Sequence, residues 1–123
     1  MSMTALVVDD HAGFRSSARF LLEMEGFEVV GEAVDGASAV TEVERLQPEF
    51  VLLDVQLPDG HGFDVAREIL GRGLHPRIVL VSSRDESDYG DSIASSGAIG
   101  FVTKGDLSGD RLRALLAKDP TCS

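Results

Sequence analysis

The 123-residue chain has no tryptophan, one tyrosine, one cysteine and four prolines. With so few aromatic rings, any core must be built mainly from aliphatic side chains. The single cysteine, Cys122, cannot close an internal disulfide, which favours a reducing cytoplasm. No apolar run approaches the ~18 residues that a membrane span requires. The opening MSMTALVVDD also lacks the basic stretch that begins a signal peptide. Basic residues are scarce: 11 Lys and Arg stand against 21 Asp and Glu, a formal net charge of −10. Such a surface argues against direct nucleic-acid contact by this chain, which would need clustered positive charge. It leaves room for a bound divalent cation. No repeat, long linker or low-complexity segment interrupts the chain, so one domain over residues 1–123 is expected.

What is present alternates in type. Ala5 to Val8 is a short apolar run. Residues 11–25 then space Phe14, Ser17, Ala18, Leu21 and Leu22 as one face of a helix, and Gly26 follows as a stop. Phe27 to Val34 reads as a second strand. Residues 37–46 place Ala39, Val40, Val43 and Leu46 on a helical face ended by Pro48. Phe50 to Leu53 is a third strand, and Gly62 to Leu70 a third helix. Ile78 to Val81 is a fourth strand, followed by a helix from Glu86 to Ser96. Gly100 to Thr103 is a fifth strand, and Leu107 to Ala117 a last helix. Five strand–helix units imply right-handed crossovers and a parallel sheet. Strands one, three and four are nearly continuous apolar runs, as strands covered on both faces must be. Five units are too few for a closed eight-fold barrel, so the expected fold is α/β, an open doubly wound five-stranded sheet.

In such sheets the reactive edge lies at the carboxyl ends of the strands. The first strand ends in Asp9-Asp10, the third in Asp54, the fourth in Ser82-Ser83 and the fifth in Thr103-Lys104. Taken singly, each residue has an ordinary reading. Asp10 or His11 opens a helix, Ser82 lies in a loop, and Lys104 is a solvated lysine. Together they are three carboxylates, a hydroxyl and an ammonium on one edge. Packed acids repel one another. Mg²⁺, a hard cation with oxygen ligands that keeps several waters, relieves that repulsion and is completed by a phosphate. A carboxylate in such a setting can act as a nucleophile and form an aspartyl phosphate.

Four stretches carry a resemblance: LVVDD (6–10), VLLDVQLPDGHG (51–62), VLVSS (79–83) and GAIGFVTK (97–104). In this order and at these spacings the chain resembles the receiver domains of two-component response regulators, the family typified by the chemotaxis regulator. The likeness covers roughly residues 3–117. It implies a flavodoxin-like (βα)5 fold with strand order 2-1-3-4-5. It implies Asp54 as phosphoacceptor, with Asp9, Asp10, Asp54 and the backbone carbonyl of Gln56 holding Mg²⁺. Ser82 and Lys104 would bind the phosphoryl group, with Ser83 small enough to admit the donor. Phe101 matches the switch aromatic, expected to turn inward into space that Ser82 vacates. The donor would be a sensor histidine kinase or phosphotransfer protein. The face of helix 4, strand 5 and helix 5 would change, with homodimerisation through it in view. DDHAGFR (9–15) resembles the opening of receivers joined to helix-turn-helix outputs of the NarL/LuxR type, although no output domain is expected within this chain. Gly105 stands where many receivers have a proline, which leaves the path of the following loop open.

Two other classes share parts of this pattern. A flavodoxin-type ligand binder would want a Ser/Thr/Gly-rich phosphate loop after the first strand, where this chain has Asp9-Asp10. An aspartyl-phosphate hydrolase would want a second acid two residues after the nucleophile, where this chain has Gln56. The expectation is therefore a phosphoacceptor and not an enzyme. A receiver that works only as an unphosphorylated interaction module is a further alternative.

Overall fold

The computed structural model describes residues 2–118; Cys122 lies outside them. Five strands form one parallel sheet: β1 (Thr4–Val8), β2 (Glu28–Ala33), β3 (Phe50–Asp54), β4 (Arg77–Ser82) and β5 (Gly100–Thr103). Their order is β2-β1-β3-β4-β5, as the resemblance implies. The helices are α1 (Ala12–Met24), α2 (Gly36–Leu46), α3 (Gly62–Gly71), α4 (Ser92–Ser95) and α5 (Gly109–Lys118). No helix among the described residues is long and apolar enough to cross a membrane.

Strand alternation divides the core into two layers. Leu6, Val8, Val51, Leu53, Ile78 and Leu80 face α2 and α3, where they meet Val40, Val43, Ala66 and Ile69. Ala5, Val7, Phe50, Leu52, Val79 and Val81 face α1 and α5, where they meet Ala18, Leu22 and Leu112. Every residue of β3 is buried, which accounts for its unbroken apolar sequence.

Register sets the strand ends level. Val8 pairs with Leu53, so Asp9 and Asp54 follow at the same height. Asp54 pairs with Val81, and Ser82 pairs with Thr103, which puts Lys104 one step beyond. After β3, Gln56–Leu57 and Gly60–His61 form a small antiparallel ribbon whose turn is Pro58-Asp59. Asp59 reaches from that turn to accept the backbone N–H groups of Gly36 (2.8 Å) and Ala37 (3.0 Å) at the start of α2. These two bonds hold its carboxyl below the usual range.

Two expectations need correction. The fourth helix is not continuous over 86–96. Glu86–Asp88 is a 3-10 turn, Gly90 takes φ 57°, and only Ser92–Ser95 is α-helical. The segment is rich in Ser, Asp and Gly, which are poor in helix interiors. Asp88 instead accepts the Asp85 backbone N–H (3.2 Å), a local bond that competes with helix continuation. The last helix starts at Gly109 and not at Leu107. Lys104–Asp106 is a 3-10 turn, Leu107 is extended, and the Ser108 hydroxyl accepts the Arg111 N–H at 3.2 Å to cap α5.

Hydrogen exchange should separate these regions. The amides of Leu52 and Leu53 should exchange only through global unfolding, whereas those of 85–96 should exchange through much cheaper local opening. Equal protection of the two segments would contradict the broken α4.

Candidate functional site

Asp9 and Asp54 are both buried, at 0% and 3% exposure, and one ammonium lies between them. Lys104 Nζ is 2.7 Å from Asp9 Oδ2 and 3.6 Å from Asp54 Oδ2, so the lysine sits closer to the metal-type acid than to the expected acceptor. The Phe14 ring lies under the ammonium, its centroid 4.5 Å away. The Asp9 backbone is pinned on both sides. Its N–H donates to Ala33 O (3.1 Å), and its carbonyl accepts Arg15 Nη1 (2.8 Å). Arg15 in turn donates to Glu32 on β2 (2.9 Å). Asp9 Oδ1 accepts the His11 backbone N–H at 2.8 Å, and His11 Nδ1 lies 3.1 Å from both Asp9 Oδ1 and Asp10 Oδ1. Ligand atoms of Asp9, Asp10, His11 and Asp54 all fall within 4.8 Å of one another.

The electrostatics separate the two buried acids. Burial pushes Asp9 up, but the Lys104 ammonium and the His11 N–H outweigh it and hold the carboxyl below its usual range. Burial likewise pushes Asp54 up, and the Asp9 charge adds to the push. Lys104 and the Gln56 N–H (3.3 Å) offset only part, leaving Asp54 at about 6. Asp9 Oδ2 makes no hydrogen bond of good geometry. Two buried carboxylates therefore share a single ammonium, and the exposed Asp10 stands beside them with the His11 ring. This deficit of positive charge is what a divalent cation with oxygen ligands would fill, so the donor set fits Mg²⁺.

Ser82 is buried, and its hydroxyl is engaged away from the acids. It lies 2.5 Å from the Tyr89 hydroxyl and accepts the Arg84 N–H at 3.1 Å. Tyr89 stacks edge-on against Phe63 (5.2 Å) and Phe101 (5.8 Å). Phe101 is already 5% exposed, packed into the α3-side core. The Phe101 ring, expected to turn inward, lies inward in this structure, against Tyr89. Ser83 is exposed, and so is Gln56.

A family model described as the response regulator receiver domain matches residues 5–117. The chain belongs to the response regulator receiver family. It is 34% identical over 121 residues to the DNA-binding transcriptional activator EvgA of Escherichia coli K12, covering 98% of this chain and 59% of EvgA. It is 32% identical over 108 residues to the transcriptional regulatory protein DegU of Brevibacillus brevis, covering 87% of this chain and 45% of DegU. The receiver thus spans about half to three fifths of the length of these relatives. Among solved structures, the signal receiver domain of NarL from Mycobacterium tuberculosis superposes with a TM-score of 0.84 at 32% identity, over 94% of each chain. A LuxR-family two-component response regulator from Aurantimonas superposes at 0.86 and 27% identity, over 99% of this chain and 93% of that one.

Within this receiver, some site parts were missed by sequence reasoning. Tyr89 carried no signal beyond being the sole tyrosine, because its partner Ser82 is reached across a loop. Phe14 read as part of an apolar helix face, and Arg15 only as a subtype mark. His11 opens α1, as its place in the sequence suggests, and its ring also joins the acids. Gly62 closes the pattern Asp54-x-x-x-Pro58-x-x-x-Gly62 for a steric reason. A Cβ there would stand 2.3 Å from the Asp54 carbonyl oxygen, which is backbone and cannot give way. The Gly62 N–H also donates to Val55 O at 2.7 Å.

Gly62→Ala should therefore displace the Asp54 backbone and destabilise the receiver by about 1–3 kcal/mol, as forced close contacts in packed regions do, read by urea denaturation. Asp54 gives a prediction of opposite sign. Its folded-state value of about 6 lies above the unfolded ~3.9. The folded state therefore holds the proton more tightly, and the receiver loses stability as pH rises from about 4 through 6. In metal-free buffer at pH 7.5, Asp54→Asn should be more stable than the parent by about 1–3 kcal/mol, with the gain vanishing toward pH 4.

Proposed function

We propose that this receiver accepts a phosphoryl group on Asp54 from the phosphohistidine of a sensor kinase or phosphotransfer protein. The observation that carries the reading is the pair of buried carboxylates, Asp9 and Asp54, sharing the Lys104 ammonium at the carboxyl edge of the sheet. Asp9, Asp10, Asp54 and the Gln56 backbone carbonyl would hold Mg²⁺. When bound, the metal would supply the positive charge that offsets the carboxylates and the incoming phosphoryl oxygens.

In the transfer, an ionised Asp54 oxygen attacks phosphorus in line. A P–O bond forms as the P–N bond breaks, and its electron pair stays on the departing imidazole nitrogen. Lys104 compensates the growing charge on the phosphoryl oxygens, and the Ser82 hydroxyl donates to one of them. Water attack on phosphorus later releases inorganic phosphate and restores the Asp54 carboxylate. The second acid that a phosphatase uses is absent at Gln56, so we read the receiver as an acceptor and not as an enzyme. Its relatives are transcriptional regulators by name. We read this receiver as the switch of such a regulator, with a helix-turn-helix unit and not this acidic domain meeting DNA. Homodimerisation through α4, β5 and α5 belongs to the same reading.

Incubation with radiolabelled acetyl phosphate and Mg²⁺ should label the protein. Asp54→Asn should take no label, and EDTA should abolish labelling of the parent. Equal labelling of Asp54→Asn would overturn the assignment. Mg²⁺ at a hundredfold excess over its dissociation constant should stabilise the parent by about 2.7 kcal/mol, and Asp54→Asn by clearly less.

A further inference from the structure

The Ser82 hydroxyl has one proton and two lone pairs, and two neighbours already compete for them. The Arg84 N–H takes one lone pair at 3.1 Å, and the Tyr89 hydroxyl lies at 2.5 Å. Strand alternation puts Ser82 on the sheet face of Ile78 and Leu80, where the ring cluster of Phe63, Tyr89 and Phe101 lies. Asp54 continues the opposite face, that of Phe50 and Leu52. A serine engaged with Tyr89 must turn to a different staggered rotamer to serve a group on Asp54.

We propose that Tyr89 is a positioning residue for Ser82, and that it carries the state of the site to the 85–95 segment. The proposal rests on the reading of Asp54 as phosphoacceptor. In the resting receiver Tyr89 holds the Ser82 hydroxyl on the ring-cluster side. A phosphoryl oxygen is a charged acceptor and forms roughly twice as strong a bond as a neutral hydroxyl. Ser82 turns to donate to it, and Tyr89 loses its partner. Phe101 cannot do this: it has no hydroxyl and is already buried. Tyr89 is well placed to pass the change on. Residues 84–88 are exposed, Gly90 sits at φ 57°, and α4 is a single turn. Tyr89 and Ile93 are the partly buried apolar residues of this segment that pack on the core. Losing the Ser82 bond leaves Tyr89 held by its ring contacts alone and loosens the segment's hold on the sheet.

The sequence supplies its own probe, because Tyr89 is the sole tyrosine and tryptophan is absent. The full chain is titrated with beryllofluoride and Mg²⁺, with bound fluoride followed by ¹⁹F NMR and Tyr89 followed by its emission and ring ¹³C shifts. Binding should shift the Tyr89 signals of the parent. Ser82→Ala should show the shifted signals before any addition. Tyr89→Phe keeps the ring contacts but removes the competing bond, and should bind beryllofluoride about fivefold more tightly, the value of one neutral hydrogen bond. A purely structural Tyr89 would change the urea midpoint and leave that affinity alone. Bound fluoride with unmoved Tyr89 signals, or equal affinity in Tyr89→Phe, overturns the proposal while the receiver reading stands. No bound fluoride resonance in the parent overturns both.

Discussion

Two carboxylates held out of water with one ammonium between them set the terms for the rest of this molecule. Burying an unpaired charge costs several kcal/mol, so the fold must supply compensation for Asp9 and Asp54. It does so unequally. Asp9 has the closer lysine contact, the His11 N–H and a backbone pinned by Ala33 and Arg15. Asp54 has a longer lysine contact and one long N–H bond, and keeps its proton up to about 6. The poorly compensated acid is the one at the centre of the sheet. The excess of negative charge around it is of the sign that a cation offsets.

The sheet makes this imbalance possible. A parallel sheet covered on both faces is apolar almost to its last residue, and polarity starts abruptly at the carboxyl ends. Register then aligns those ends, with Asp9 beside Asp54 and Ser82 beside Thr103. Small residues protect the alignment. Gly62 lets the returning chain pass against the Asp54 carbonyl, and Asp59 ties the ribbon to α2.

Most of this was legible in the sequence, for identifiable reasons. Apolar runs ending in Asp9, Asp54, Ser82 and Lys104 located the strands and the edge, because burial on two faces leaves little choice of composition. The phase of α1, α2 and α3 followed from spacing. What escaped lay where local and tertiary terms compete. Residues 86–96 have enough helical spacing to suggest a helix, but their serines, aspartates and Gly90 favour turns. Leu107 fits a helical stripe, yet Ser108 is the better cap. The Tyr89–Ser82 bond joins residues whose side chains meet only after a loop has folded back, and no periodicity encodes it. Phe101 likewise packs against Tyr89, which itself packs against Phe63, and no spacing encodes that chain of rings.

The Asp59 clamp has a mechanical side. The loop leaving Asp54 is fastened to the start of α2, so the wall of the site on that side is joined to a helix. The opposite wall is a 3-10 turn, a glycine hinge and one helical turn. The two walls of the site are thus built differently, one tied to α2 by two backbone hydrogen bonds and the other broken into short turns about Gly90.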